Sequence, residues 1–248
     1  MAFKTTMSDF NLVFDASPCA AIEGVSQEQP RTLQVLERAT YEPGASEVAR
    51  DLLGHWLLRR VRNEGGEEWC GGEIVETEAY LADDPACHAY VHETPRNKTM
   101  WGRAGHAYVF NIYGSYKCFN PVCGPRGVAE AVLIRALRPR FGLARMARNR
   151  PCPRERDLLS GPSKLCQALE IGRDLDGADL CDPRGPIIVA RNPEQARFRR
   201  DSGPLVVCTR IGLTRGAGLP LRFYLQHDPN VSKKAAPAQI FARDEAGS

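Results

Sequence analysis

The chain has 248 residues, 43% of them hydrophobic, which supplies enough apolar side chain for a sizeable core and excludes a disordered tail or a fibre. Net charge is +3, but the first 30 residues carry one Lys against four acids, so residues 31–248 hold 32 cations to 26 anions, a net of +6. No stretch approaches the ~20 apolar residues of a membrane-spanning helix, and the opening MAFKTTMSDFNLVF lacks the continuous apolar segment of a secretory signal.

Residues 1–35 mix polar with isolated apolar side chains and read as a flexible N-terminal extension. Ser46 is suited to cap a short helix whose apolar face is Val48, Leu52 and Leu53 and which Gly54 ends. Residues 55–61 and 72–80 are β-rich runs joined by the polar NEGGEE, a hairpin. GHAYVFNIY (105–113) and SYKCFNPV (115–122) are two more strands, hinged at Gly114, and AEAVLIRAL (129–137) has a continuous apolar centre that implies burial on both faces. A helix fits 141–148, stopped by Pro151 and Pro153. Ser160 or Ser163 could cap a second helix through SKLCQALEI, ending near Gly172. Three late strands fit 186–190, 205–212 and 221–226. From Asp228 onward Pro, Lys, Ala and charge dominate, and the end is expected to fray. Hairpin-like neighbours without regular βαβ alternation indicate an α+β fold, a single domain with a curved antiparallel or mixed β-sheet and a few short helices. Its body spans 36–232 and its C-terminal tail 233–248.

Nine cysteines are scattered without a CxxC pair, which reads as reduced thiols serving as small core fillers in the cytosol. A zinc site on Cys118 and Cys123 lacks four ligands at usual spacings, so neither metal nor cofactor is expected.

The chemistry concentrates between Glu73 and Arg135. Strand alternation puts Ile74, Glu76, Glu78 and Tyr80 on one face and Val75, Thr77 and Ala79 on the other, so two carboxylates and a phenol share a side. Such a Glu pair is ordinarily a solvated strand face. Here Tyr108, Phe110, Tyr113, Tyr116 and Phe119 follow within a short span, interleaved with Lys98, Arg103 and Lys117. Aromatic faces beside cations suit unstacked bases, and 27 of the 33 cations are Arg, whose planar donors suit phosphate. Phe119 reads as core. Tyr113, directly before Gly114 at a hairpin tip, has little core to enter and could act as a wedge in a duplex.

These residues resemble a known family. VETEAY around Glu78 and Tyr80, His88 after DPAC, TPRN at 94–97, YVFNIYG at 108–114, Asn120, IRAL at 134–137 and GPSKLCQAL at 161–169 are similar, in order and in spacing, to the alkyladenine (3-methyladenine) DNA glycosylases. The likeness runs from Leu36 to Ser232. It implies a monofunctional base-excision enzyme, a monomer acting on double-stranded DNA that contains damaged purines, without metal, covalent enzyme intermediate or lyase step. It would work in the cytoplasm with the nucleoid in a bacterium, or in the nucleus of a eukaryote, and not at a membrane.

By the same resemblance Glu78 is the general base that activates water, and Arg135 helps hold water and Glu78. Tyr80, His88 and Phe110 pack against the everted base, with Phe110 standing where vertebrate relatives carry Tyr. Asn120 crowds the 2-amino group of guanine, and Tyr113 is the intercalating wedge. The segment from Glu78 to His88 is one residue shorter than in those relatives, and Ser115 replaces a bulkier residue. Arg96, Lys98 and Lys164 are candidate phosphate contacts, whereas Arg103 reads equally as a solvated charge. Two other readings compete: a damage-binding module, which would not require Glu78, and a formyl-transfer or RNA-processing enzyme, for which no folate or nucleotide motif is present.

Overall fold

The computed structural model describes residues 28–244 apart from 31, 64, 65 and 113. Among the described residues nine strands, β1 (Trp56–Asn63), β2 (Gly66–Tyr80), β3 (Ala107–Ile112), β4 (Tyr116–Cys123), β5 (Glu130–Phe141), β6 (Ile187–Ala190), β7 (Leu205–Cys208), β8 (Arg222–Leu225) and β9 (Ile240–Asp244), form one antiparallel sheet. Its order is β3-β4-β5-β2-β8-β7-β9, with β1 pairing β2 and β6 off that path. Four short helices, α1 (Ala45–Asp51), α2 (Leu143–Asn149), α3 (Pro162–Ala168) and α4 (Gln195–Asp201), complete the α+β fold. No helix among the described residues is long and apolar enough to cross a membrane.

β2 is the spine. Its first half pairs with β1, and from Gly71 on it pairs with β5, with β8 joining beside Glu76 to Glu78. The change of partners at Gly71 and Gly72 needs glycine, because a Cβ would stand 2.0 Å from the Leu57 carbonyl oxygen at the first and 1.8 Å from that of Arg138 at the second. The β2–β5 ladder then slips twice. Ile74 opposes Leu137 and Glu76 opposes Ala136, leaving Val75 unmatched. Thr77 next opposes Ile134, leaving Arg135 unmatched. The two bulges cancel, so the register after Thr77 equals that before Val75.

The core lies on the sheet face that carries Val132, Ile134 and Ala136 of β5 and Ala79 of β2, packed by Val48, Ala49 and Leu52 at α1 and by Leu165 and Ala168 of α3. Phe119 joins this core, fully buried. β5 is buried on both faces, as its apolar run predicts, and it continues four residues further, to Phe141.

Several boundaries differ from the sequence reading, two of them where a distant carboxylate takes a backbone N–H. Gly44, not Ser46, is the N-cap of α1, and the Ala45 N–H donates to Glu130 Oε2 at 2.8 Å. α3 follows Gly161 without a serine cap and ends at Ala168. The seventh strand stops at Cys208, since Ile211 turns its N–H to a glutamate rather than to a ladder partner. The end does not fray at Asp228: that carboxylate is buried and accepts from Arg138 Nη2 at 2.6 Å, and β9 pairs with β7. α4 buries Phe198, the one large apolar residue in QARFRRD.

Candidate active site

A cavity of about 260 Å³ opens on the face of the sheet opposite the core. Its floor comes from β2 and β5 (Tyr80, Ala131, Leu133, Arg135), its wall from the β3–β4 hairpin (Tyr108, Phe110, Cys118, Asn120), and its remaining sides from His88, Pro162 and the loop 211–213. The apolar and aromatic lining with a few convergent polar groups is the usual make-up of a small-molecule pocket.

Glu78 lies behind Tyr80, Arg135 and Ile211 and is fully buried. Its Oε1 accepts from the Ile211 N–H at 2.9 Å and faces Arg135 Nη1 at 3.2 Å, while Oε2 accepts from the Tyr80 hydroxyl at 2.9 Å. A carboxylate has about four acceptor positions, so this one retains capacity to take a proton from water. Glu76, equally buried, accepts at Oε1 from Arg135 Nε (3.1 Å) and Arg222 Nε (2.8 Å), and at Oε2 from the Ser232 N–H (2.6 Å). The pair of carboxylates that a strand pattern ordinarily leaves in solvent is thus matched by two buried guanidinium groups. Burial works against the charge on Arg135, but Glu78 and then Glu76 outweigh it and raise its pKa, so that it stays protonated. Burial first, then the charge and hydrogen bond of Glu78, push the Tyr80 phenol far up, so Tyr80 remains a donor.

The wall is aromatic. His88 and Phe110 meet at 4.2 Å between ring centroids, and Phe110 stacks on Tyr108 at 5.3 Å. His88 Nδ1 lies 3.1 Å from the Tyr108 hydroxyl. Loss of solvent, followed by the Arg96 charge, lowers the His88 pKa, leaving the ring neutral at pH 7 and able to accept from Tyr108. Asn97, the last residue of TPRN, is buried and donates from Nδ2 to the carbonyls of His88 (2.9 Å) and His92 (3.0 Å), which fixes the loop carrying His88. Asn120 donates to the Tyr108 carbonyl at 2.9 Å, and that bond aims its other amide atom without relying on the side chain's own stiffness.

The structure therefore brings Glu78, Arg135, Tyr80, His88, Phe110 and Asn120 to one cavity. The cations stand outside it. Arg96 is exposed and donates to the carbonyl of Asn111, beside the lining residue Ile112; Lys98 is exposed; Lys164 lies two residues from the lining Pro162, its Nζ 3.5 Å from Ser160 Oγ. Arg103 borders a separate cleft with Arg38 and Arg126. Tyr113 falls outside the described residues.

Three contributors carry no signal in the sequence reading: the Ile211 N–H, a backbone group that any residue offers, and the partners Arg210 and Asp84. Arg210 is buried, with its Cζ 4.6 Å from the Tyr80 ring centroid. It donates to the Ala79 carbonyl at 2.9 Å and pairs with both oxygens of Asp84. Tyr80 is thereby clamped between a cation on its face and Glu78 at its hydroxyl.

Residues 39–229 match the family described as methylpurine-DNA glycosylase. The chain belongs to that family. Among its relatives, a protein of Carboxydothermus hydrogenoformans is 46% identical over 81% of this chain and its own full length. One of Methanoculleus marisnigri is 45% identical over 80% of this chain and 99% of its own. A third, of Granulibacter bethesdensis, is 47% identical over 72% and 78% respectively. Each is named "Putative 3-methyladenine DNA glycosylase". All the cavity residues named above fall inside the matched span.

Proposed function

We propose that this member of the methylpurine-DNA glycosylases is a monofunctional 3-methyladenine DNA glycosylase. It takes an alkylated or deaminated purine everted from duplex DNA into the aromatic cavity and hydrolyses its N-glycosidic bond, starting base excision repair. The observation that carries this reading is Glu78: a buried carboxylate, held on three sides by Arg135, Ile211 and Tyr80, immediately beneath the floor of a cavity lined by rings.

Water entering between Arg135 and Tyr80 gives its proton to Glu78 as its oxygen bonds to C1′. The electrons of the N-glycosidic bond leave with the base, and the carboxylate offsets the positive charge that develops on the sugar. The proton later passes from Glu78 to solvent. No covalent enzyme intermediate and no lyase step are needed. His88, Phe110 and Tyr80 hold the base by stacking, and Asn120 crowds a 2-amino group, which disfavours guanine and is offset in 7-methylguanine by the ease with which that cationic base leaves. Arg96, Lys98 and Lys164 hold phosphates, and Tyr113 wedges into the space the base leaves. Eversion is least costly where pairing is already weak, which favours damaged bases.

Cationic bases such as 3-methyladenine and 7-methylguanine leave as neutral molecules. Hypoxanthine and ethenoadenine are neutral in DNA and need a proton to leave as well, so their release should fall more steeply as pH rises. The test is a duplex with one 3-methyladenine or hypoxanthine, incubated with the protein and treated with alkali to cut abasic sites. Strand breaks that disappear in Glu78→Gln while damaged-duplex binding persists support the glycosylase. Binding without base release by the unmodified protein indicates a binding module.

A further inference from the structure

Arg135 does not face Glu78 alone. Its Nε is bonded to Glu76, whose same oxygen takes Arg222 Nε and whose other oxygen takes the Ser232 N–H. Arg222 in turn donates from Nη2 to the Lys233 carbonyl and lies with its Cζ 4.9 Å from the Tyr224 ring centroid. A continuous run of polar contacts, buried at the glutamates and arginines and part-buried at its far end, thus leads from Glu78 through Arg135 and Glu76 to residues 232 and 233. That segment is anchored by Tyr224, whose hydroxyl accepts from the Ala235 N–H at 3.2 Å, and β9 follows it on the sheet.

The charges explain why Glu76 is needed. Two guanidinium groups buried beside Glu78 alone would leave one cation uncompensated, a costly arrangement in a dry site. Glu76 balances the set at two and two. It also holds Arg135 by Nε, which leaves Nη1 directed at Glu78. Because Arg135 is the unmatched residue of a bulge, the strand ladder does not by itself fix its side chain.

Resting on the glycosylase reading, we infer that Glu76 is a positioning residue for the reaction. It aims Arg135 and divides that cation between two carboxylates, and it is itself set by Arg222 and by the backbone of residues 232–233. The last part of the chain is on this account a working component of the active site.

The test uses the full chain with Glu76→Gln, Glu76→Asp and Ser232→Pro, the last removing the N–H donor together with a hydroxyl that makes no hydrogen bond among the described residues, and fixing φ. In single turnovers on a 3-methyladenine duplex, the rate per active site in Glu76→Gln is expected to fall roughly 10- to 100-fold, as when an outer partner of a reactive group is lost, with duplex affinity unchanged. Glu76→Asp should recover part of the loss, and Ser232→Pro should lie between wild type and Glu76→Gln. The acid limb of the rate profile should move to lower pH in Glu76→Gln, since Arg135 then faces one anion instead of two. The other groups around Glu78, namely Tyr80, Cys118, Cys208 and the Ile211 amide, with Arg210 behind Tyr80, are unaltered. A rate and limb equal to wild type overturn the inference, as does a slower rate with an unmoved limb, which marks a structural role alone. Exchange of the Arg135 Nε proton, followed by NMR without DNA, separates this from the function itself. Loss of its protection in Glu76→Gln or Ser232→Pro supports positioning even if no base is released by wild type, and unchanged protection in both overturns it.

Discussion

On the wall of the cavity, His88, Phe110 and Tyr108 touch through ring faces and edges, and the one polar bond among them joins His88 to Tyr108. On the floor, Glu78, Glu76, Arg135 and Arg222 are joined by charge-assisted bonds of 2.8–3.2 Å with almost no access to water. The halves fail differently. A ring removed from the wall takes away contact area and leaves no charge stranded, so the loss is graded. A floor residue removed strands its partner in a medium where ions are poorly solvated, so the loss is steep. On the proposed function, the wall would tolerate varied bases and the floor would perform one reaction.

The contrast breaks most sharply at Glu78. Glu78→Gln should lower single-turnover base release by about 10²- to 10⁴-fold, the range attributable to a general base, with damaged-duplex affinity kept; a rate within a few-fold of wild type would move the chemistry elsewhere. Next is Arg135→Met, which leaves Glu78 without its cation. Denaturant unfolding should show a loss of about 3–5 kcal/mol, together with a collapse in rate, and a neutral result would mean the floor relaxes as readily as the wall.

Phe110→Ala tests the wall. Affinity for damaged duplex should weaken by about 1–3 kcal/mol, the worth of one stacking ring, with folding stability less affected than in Arg135→Met. Outside both halves, Arg96→Ala and Lys98→Ala should weaken damaged and undamaged duplex alike, each reducing the slope of log K against log salt by about 0.9 if it meets a phosphate.

The smallest effect concerns His88. Its pKa in the folded chain is lowered, so the stability it contributes is fully present above the ordinary histidine value and is lost as pH falls through the lowered one. Melting temperatures followed from neutral to acid pH should show a shallower decline in His88→Gln than in wild type, and equal curves would remove His88 from the wall's acid sensitivity.

Most of this architecture was legible in the order of residues. Alternation over residues 74–80 places Ile74, Glu76, Glu78 and Tyr80 on one face; the last three share the site side, whereas the bulge at Val75 breaks the alternation and Ile74 packs in the core with Ala79. The hairpin hinged at Gly114 and the doubly buried fifth strand follow from period and composition. The proposed role of Glu78 as a base rests on resemblance to a family, as does its expected pairing with Arg135, which the structure contains, since a strand pattern cannot tell a buried carboxylate from a solvated one. What escaped lies in pairings across long separations: Arg210 with Asp84, Arg222 with Glu76 and Ala45 with Glu130 join residues 85 to 146 positions apart, and no local signal connects them. The ninth strand was missed for a related reason. Its sequence, IFARD, is short and lies in a stretch dominated by Pro, Lys, Ala and charge, and it forms a strand because β7 offers it an open edge.

The paired slips at Val75 and Arg135 bear on which length changes the chain could survive. Deleting either residue alone would keep the existing cross-strand pairs but leave the other slip uncompensated, so that β2 and β5 no longer contribute equal numbers of residues between Ile74–Leu137 and Thr77–Ile134 and the sheet bends there. Deleting both would heal the alignment and yield a flatter, conventionally paired sheet, but with the guanidinium gone. A lineage that shed both residues would keep a foldable shell emptied of its chemistry.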